Sequence, residues 1–187
     1  MTGNDNKIYK TYKTDKDYNN YKNDKSGNAD NIYIIPLKKA HINKVCAIEK
    51  ECFTDPWKKE IFLELLGYPY AVNIAAAEIK TGIGAEKTKK TEEIAGYCIF
   101  YHIWDECQIM NIAVKKSMQN KKIATKLLSA VLEYAETENI AKIILEVRRS
   151  NAKAIALYKK FGFEIDGVRE NYYKRPKEDA LLMSLQV

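Results

Sequence analysis

A carboxylate and a phenol share one short stretch, LEVRRSNAKAIALY, at Glu146 and Tyr158. Glu146 sits near the end of an apolar, strand-like run, KIILEV; Ser150 and Asn151 start a helix, and Tyr158 lies inside it. A positioned carboxylate can take a proton and a positioned phenol can deliver one. One strand, loop and helix therefore offer both ends of a proton-transfer reaction. Each residue also has a plainer account. Glu146 can pair with Arg148 or a lysine, Tyr158 can be a core aromatic beside Ile155, Leu157 and Phe161, and Asn151 is a good helix N-cap.

The elements that would hold this set can be read from residue 32 onward. IYIIPL is a strand. Over residues 40–52, Ile42, Val45, Cys46, Ile48, Glu49 and Cys52 recur at helical spacing. Thr54, Asp55, Pro56 and Trp57 combine a capping side chain with an early proline, which predicts a second helix running to about Leu66 and stopping at Gly67 and Pro69. YAVNIAAAEI, EIAGYCIFYHI and CQIMNIAV are three more strands. A long helix over residues 122–138 presents Ile123, Leu127, Leu128, Val131, Leu132 and Ala135 on one face. KIILEV, a helix over 152–160 ended by Gly162, and the strands EIDGVRENYY and ALLMSLQV complete the chain. The order β-α-α-β-β-β-α-β-α-β-β predicts a mixed α/β domain.

Two further segments have the chemistry of a binding site. After Val114 a basic turn, KKSMQNKK, leads into the long helix, so backbone N–H groups, the helix dipole and Lys116, Lys121 and Lys122 can face an anion such as a pyrophosphate. A charged helix-capping turn would look the same. Asn111, Ile112, Ala113 and Val114 form a strand whose free N–H and C=O groups could hold an amide-containing chain if its neighbour splays away; otherwise it is a plain central strand. Gly82, Ile83, Gly84 and Ala85 lack the Gly-Lys-Ser/Thr ending of a phosphate loop and read as a hairpin tip. Cys46, Cys52, Cys98 and Cys107 read as buried free thiols; Cys98, His102 and Cys107 lack a fourth ligand and metal-site spacing, so no metal is expected.

The chain has 187 residues, 46% hydrophobic and 30% charged, enough for one domain with a full core. No apolar run approaches the roughly 20 residues that span a bilayer, and no secretory signal opens the sequence, so a cytoplasmic protein without membrane contact is expected. Residues 1–30 are rich in Lys, Asn, Asp and Tyr and poor in aliphatics, which predicts a disordered tail ahead of a domain spanning 31–187. Interleaved Lys and Tyr can stack on RNA, but a solvated tail accounts for the same composition, and direct nucleic-acid binding is not expected. The net charge of +6 suits an anionic ligand or a ribosomal surface and equally an ordinary soluble domain.

Together NIAV, QNKKIATKLL, LEVRRSNAKAIALYKKFGF, RENYY and EDALLMSL resemble the GNAT N-acetyltransferases, and within them the RimI-type ribosomal-protein-alanine N-acetyltransferases. FTDPW, residues 53–57, is similar to that subgroup's Phe-x-x-Pro-Trp loop, and the resemblance covers residues 32–187. It implies the GNAT fold: a mixed, mostly antiparallel sheet, splayed between the fourth and fifth strands and flanked by helices. It implies acetyl-CoA as donor and a protein N-terminal amine, that of a ribosomal protein, as acceptor. By position it implies Glu146 as proton acceptor, Tyr158 as proton donor and Asn151 as a cofactor contact. It implies Ile112, Ala113 and Val114 as the strand holding thioester and pantetheine, and Asn120, Lys121, Lys122, Ile123, Ala124 and Thr125 as the pyrophosphate loop. Acceptor choice falls to Phe53, Trp57, Tyr172 and Tyr173. One departure stands out: Lys122 occupies the place of the family loop's first glycine, which calls for a backbone conformation open to a side chain. A different amine acceptor, or a non-catalytic acyl-CoA-binding module, are the competing readings.

Overall fold

Seven strands form one sheet in the order β1-β2-β3-β4-β5-β7-β6 in the computed structural model, which describes residues 31–81 and 90–187. The elements are β1 (Ile32–Pro36), α1 (Ile42–Cys52), α2 (Lys59–Leu65), β2 (Ala71–Thr81), β3 (Lys90–Ile103), β4 (Glu106–Val114), α3 (Ile123–Thr137), β5 (Lys142–Arg148), α4 (Ala152–Lys160), β6 (Glu164–Lys174) and β7 (Lys177–Gln186). This is the order that the sequence predicts. The expected tail and the hairpin tip at Gly82, Ile83, Gly84 and Ala85 lie outside the described residues.

Alternation along β2 and β3, interrupted at a bulge around Ala95, explains the layering. Ile74, Ala76, Cys98 and Phe100 face α3 and α4 in one core, while Ala75, Ala77, Tyr97 and Ile99 face α1 and α2 in the other. Both faces of the sheet are thus apolar and both are covered. The predicted stripe on α3 is realised: Ile123, Leu127, Leu128, Val131 and Ala135 are buried, and Leu132 packs at the margin. The second helix departs from expectation. It begins at Lys59, with no side-chain cap, because Thr54 does not cap it. The Thr54 hydroxyl instead donates to the Arg175 carbonyl at 2.6 Å, and the Trp57 N–H donates to Glu49 Oε1 at 2.9 Å. Tertiary bonds hold residues 53–58 as a loop where local signals favoured a helix.

Gly96 fixes how closely α3 approaches the sheet. A Cβ there would lie 2.8 Å from the Ala113 carbonyl oxygen and 3.3 Å from side chains of both Ile123 and Leu127. Backbone on one side and the first turn of α3 on the other leave it no room. Gly96→Ala is expected to destabilise the protein by about 3 kcal/mol, as overpacking of a dense core does, which urea unfolding will measure.

Candidate active site

All pairs of neighbouring strands are antiparallel except β4 and β5, and that parallel pair is short. It runs from Glu106 opposite Lys142 to Ile109 opposite Leu145 and ends there. Past that point β4 stays bonded to β3, with Asn111 opposite Ile99 and Val114 opposite Gly96. Over the same stretch β5 stays bonded to β7, with Glu146 opposite Leu182 and Arg148 opposite Ala180. The two strands therefore diverge, and a wedge opens between Met110 to Val114 on one side and Glu146 to Arg148 on the other. Its cause is local. The register of β3 with β4 shifts after Ile99, so that Met110 is an extra residue on β4. Such a bulge bends its strand and increases its twist. The splay between the fourth and fifth strands, expected from the resemblance, is present.

The wedge places the two candidate groups on opposite faces of the sheet. Leu145 and Val147 point into the core under α3 and α4, so Glu146, between them, points to the other face. There Glu146 Oε1 pairs with Arg169 Nη1 at 2.7 Å, its side chain only 15% exposed. Sequence proximity suggested Arg148 or a lysine as partner. The structure gives Arg169, from β6, and turns Arg148 to Glu178 at 3.2 Å. Tyr172 also reaches Glu146, because β6 leaves register with β7 between Arg169 and Tyr173 and bulges, with Asn171 at φ 53°. The hydrogen bond to Glu146, followed by burial, raises the Tyr172 phenol pKa. Tyr173 stacks edge-on with Tyr172 at 5.1 Å, and burial pushes its phenol up to about 12.

Tyr158 is buried in the opposite core, 5% exposed, its ring 5.8 Å from that of Phe163. It is thus a core aromatic, with Cys98 of β3 and Tyr173 of β6 as its electrostatic neighbours. Burial, followed by the nearby Cys98 and Tyr173, raises its pKa above the ordinary tyrosine range, so it keeps its proton at neutral pH. Asn151 caps α4: its Oδ1 accepts from the Ala154 N–H at 3.2 Å.

The approach to α3 has the features of an anion cradle. Asn120 at φ 62° and Lys122 at φ 57°, ψ 16° both turn the backbone through the left-handed region. Lys122 is the N-cap but offers no side-chain bond, so the first N–H groups of α3, at Ile123, Ala124 and Thr125, depend on an outside acceptor. The loop has kept the conformation that a glycine would take, although a lysine stands there. Lys122→Gly is expected to stabilise the fold by about 0.5–1 kcal/mol, the relief of a left-handed side chain less glycine's entropy in the unfolded chain, measured by thermal and urea unfolding. The wedge edge of β4 and this loop together fit a long ligand carrying amides at one end and phosphates at the other. The Val114 carbonyl is already engaged, accepting from Cys52 Sγ at 3.3 Å and Gln119 Nε2 at 3.4 Å, which leaves the preceding residues of β4 for a ligand.

On the Glu146 face, Phe53 is exposed, whereas Trp57 turns inward and packs on Phe62 at 5.6 Å. Beneath that loop Glu49 is 1% exposed and accepts from the Trp57 N–H, the Tyr97 hydroxyl and Asn111 Nδ2. Burial raises the Glu49 pKa and those three donors oppose it. A carboxylate on the apolar face of α1 was the sequence signal for this network. All four cysteines are free, and burial raises the thiol of Cys98 and takes that of Cys107 up to about 12, so neither supplies a thiolate nucleophile. Among the described residues no cluster of His, Cys, Asp or Glu could hold a metal ion, and no helix is long and apolar enough to cross a membrane.

Residues 42–163 match the Acetyltransferase (GNAT) family. The chain belongs to that family and is an acetyl-CoA-dependent N-acetyltransferase. It is 37% identical over 143 residues to the "Putative [ribosomal protein bS18]-alanine N-acetyltransferase" of Bacillus subtilis (strain 168), covering 76% of this chain and 87% of the relative. It is 32% identical over 142 residues to the "[Ribosomal protein bS18]-alanine N-acetyltransferase" of Salmonella typhimurium, covering 75% and 87%. The crystal structure of the ribosomal-protein-S18-alanine N-acetyltransferase from Escherichia coli superposes with a TM-score of 0.70 at 30% identity, over 83% of this chain and 94% of that one.

Proposed function

We propose that this enzyme acetylates the N-terminal α-amine of a protein, the N-terminal alanine of ribosomal protein bS18. One observation supports the reading: β4 and β5 diverge beside the carboxylate Glu146 on one face of the sheet, while the core on the other face holds a proton-retaining phenol, Tyr158. The names of the relatives supply the acceptor. The reaction takes place in the cytoplasm, where ribosomal proteins are made.

An N-terminal ammonium has a pKa near 8 and is largely protonated at neutral pH. Glu146, directly or through a water, accepts the proton and frees the amine for attack on the acetyl carbonyl. Backbone N–H groups near Ile112, Ala113 and Val114 polarise that carbonyl. Tyr158 gives its proton to the departing sulfur and is restored by the proton that the newly acylated nitrogen releases, directly or through water. The N–H groups of residues 120–125, with Lys121 and Lys122, hold the phosphates, and Asn151 lies at the start of α4 as a further contact with the donor. Phe53, Tyr172 and Tyr173 border the acceptor, with Trp57 supporting its loop from beneath. No covalent enzyme intermediate is needed.

The test is incubation with acetyl-CoA and hexapeptides beginning Ala, Ser or Met, alongside polyamines and a lysine-bearing peptide with a blocked N-terminus, read by mass spectrometry. The expected product is one acetyl group on the Ala peptide's N-terminus. Acetylation of polyamines or lysine alone would transfer the enzyme to another acceptor class.

A further inference from the structure

Arg148 stands two places beyond Glu146 on the same strand, and strand alternation sends both side chains to the same face. Its guanidinium bridges the two loops that border that face. Nη2 donates to the Arg175 carbonyl at 3.0 Å and to Thr54 Oγ1 at 3.5 Å. Nη1 donates to the Pro176 carbonyl at 3.3 Å and to Glu178 Oε2 at 3.2 Å. The carbon at the centre of the fork lies 4.0 Å from the centroid of the Tyr173 ring. Glu178 is itself fixed, accepting from the Ser150 N–H at 2.5 Å. Thr54 belongs to the loop after α1, and Arg175 and Pro176 form the turn between β6 and β7. Among the described residues the hydrogen bonds joining loop to turn are the direct one from Thr54 to the Arg175 carbonyl and those through Arg148.

We infer that Arg148 is a positioning residue that sets the separation and tilt of the two acceptor loops, and so the affinity for the incoming N-terminal peptide. This rests on the acceptor proposed above. The chemistry is specific to arginine. A planar fork serves two carbonyls, a hydroxyl and a carboxylate at once while stacking on a ring, whereas a lysine ammonium keeps the charge for Glu178 but cannot span the rest. The bridge touches neither the anion cradle nor the wedge edge of β4, so its loss weakens acceptor binding and spares the donor.

Arg148→Lys separates these effects. With acetyl-CoA and an Ala-initiated hexapeptide, the peptide KM is expected to rise about 10-fold or more while the acetyl-CoA KM stays within about twofold. Amide hydrogen exchange on the same variant is expected to speed up in residues 53–57 and 174–177 together, with α3 unchanged. Unaltered kinetic constants alongside wild-type exchange in both segments would overturn the inference, as would parallel rises in both KM values. If the wild-type enzyme acetylates no peptide, the acceptor reading fails while exchange still decides the bridge: coordinated loosening supports it, and unchanged protection removes it.

Discussion

Glu146→Gln is expected to lower kcat about 100-fold or more and to leave CoA binding unchanged. The amide has nearly the volume of the carboxylate, and the backbone of residue 146 remains paired opposite Leu182, so β5 keeps its place. What is lost is the ability to take a proton from an amine that is mostly charged at neutral pH. Arg169 also loses its partner at 2.7 Å, but that ion pair lies at the edge of the sheet with the arginine more than half exposed, so its contribution to stability is small. Steady-state kinetics against both substrates, with CoA titration and thermal unfolding of the same preparation, separate chemistry from folding. Wild-type turnover in the glutamine variant would remove Glu146 from the proton path.

Tyr158→Phe should lower kcat by about 10-fold or more with little change in stability. Phenylalanine preserves the ring packed against Phe163, so the core around α4 keeps that contact. The pH dependence follows from the direction of the shift. Burial raises the phenol pKa, so the protonated, donating form persists below and through the ordinary tyrosine range. Tyr158 therefore contributes no loss of activity on the alkaline side at pH 8–9, values below about 10, the usual tyrosine pKa. The variant should show a lower plateau with the wild-type profile shape. A full plateau would assign the proton to water.

What the sequence disclosed was local, and what it concealed was relational. Helix α4 was legible to its last residue because its signals are its own: an Asn151 cap at one end, and Gly162, at φ 90°, at the other. The stripe on α3 was legible for the same reason. The start of α2 was misread because Thr54 spends its hydroxyl on Arg175, far along the chain. Lys122 was visible as a departure, but only coordinates could reveal that the backbone retained the left-handed turn and left the lysine to fit it. The same holds for the ion partners. Strand spacing put Arg148 on the face of Glu146, yet Arg169 reaches that carboxylate because β6 lies beyond β7 and bulges back toward it. The wedge itself depended on one extra residue, Met110, whose effect exists only once β3 is its neighbour.

The parting of two neighbouring strands in a sheet has a consequence for traffic. If Glu146 and the start of α3 serve as proposed, the thiol-bearing reagent and the polypeptide terminus reach the reacting atoms from opposite sides, and neither has to queue behind the other. A folded, bulky acceptor can rest against the outer surface with only its first residues threaded inward, while the small carrier is exchanged by the rear. The size of the modified macromolecule then places no ceiling on the rate at which spent carrier is replaced.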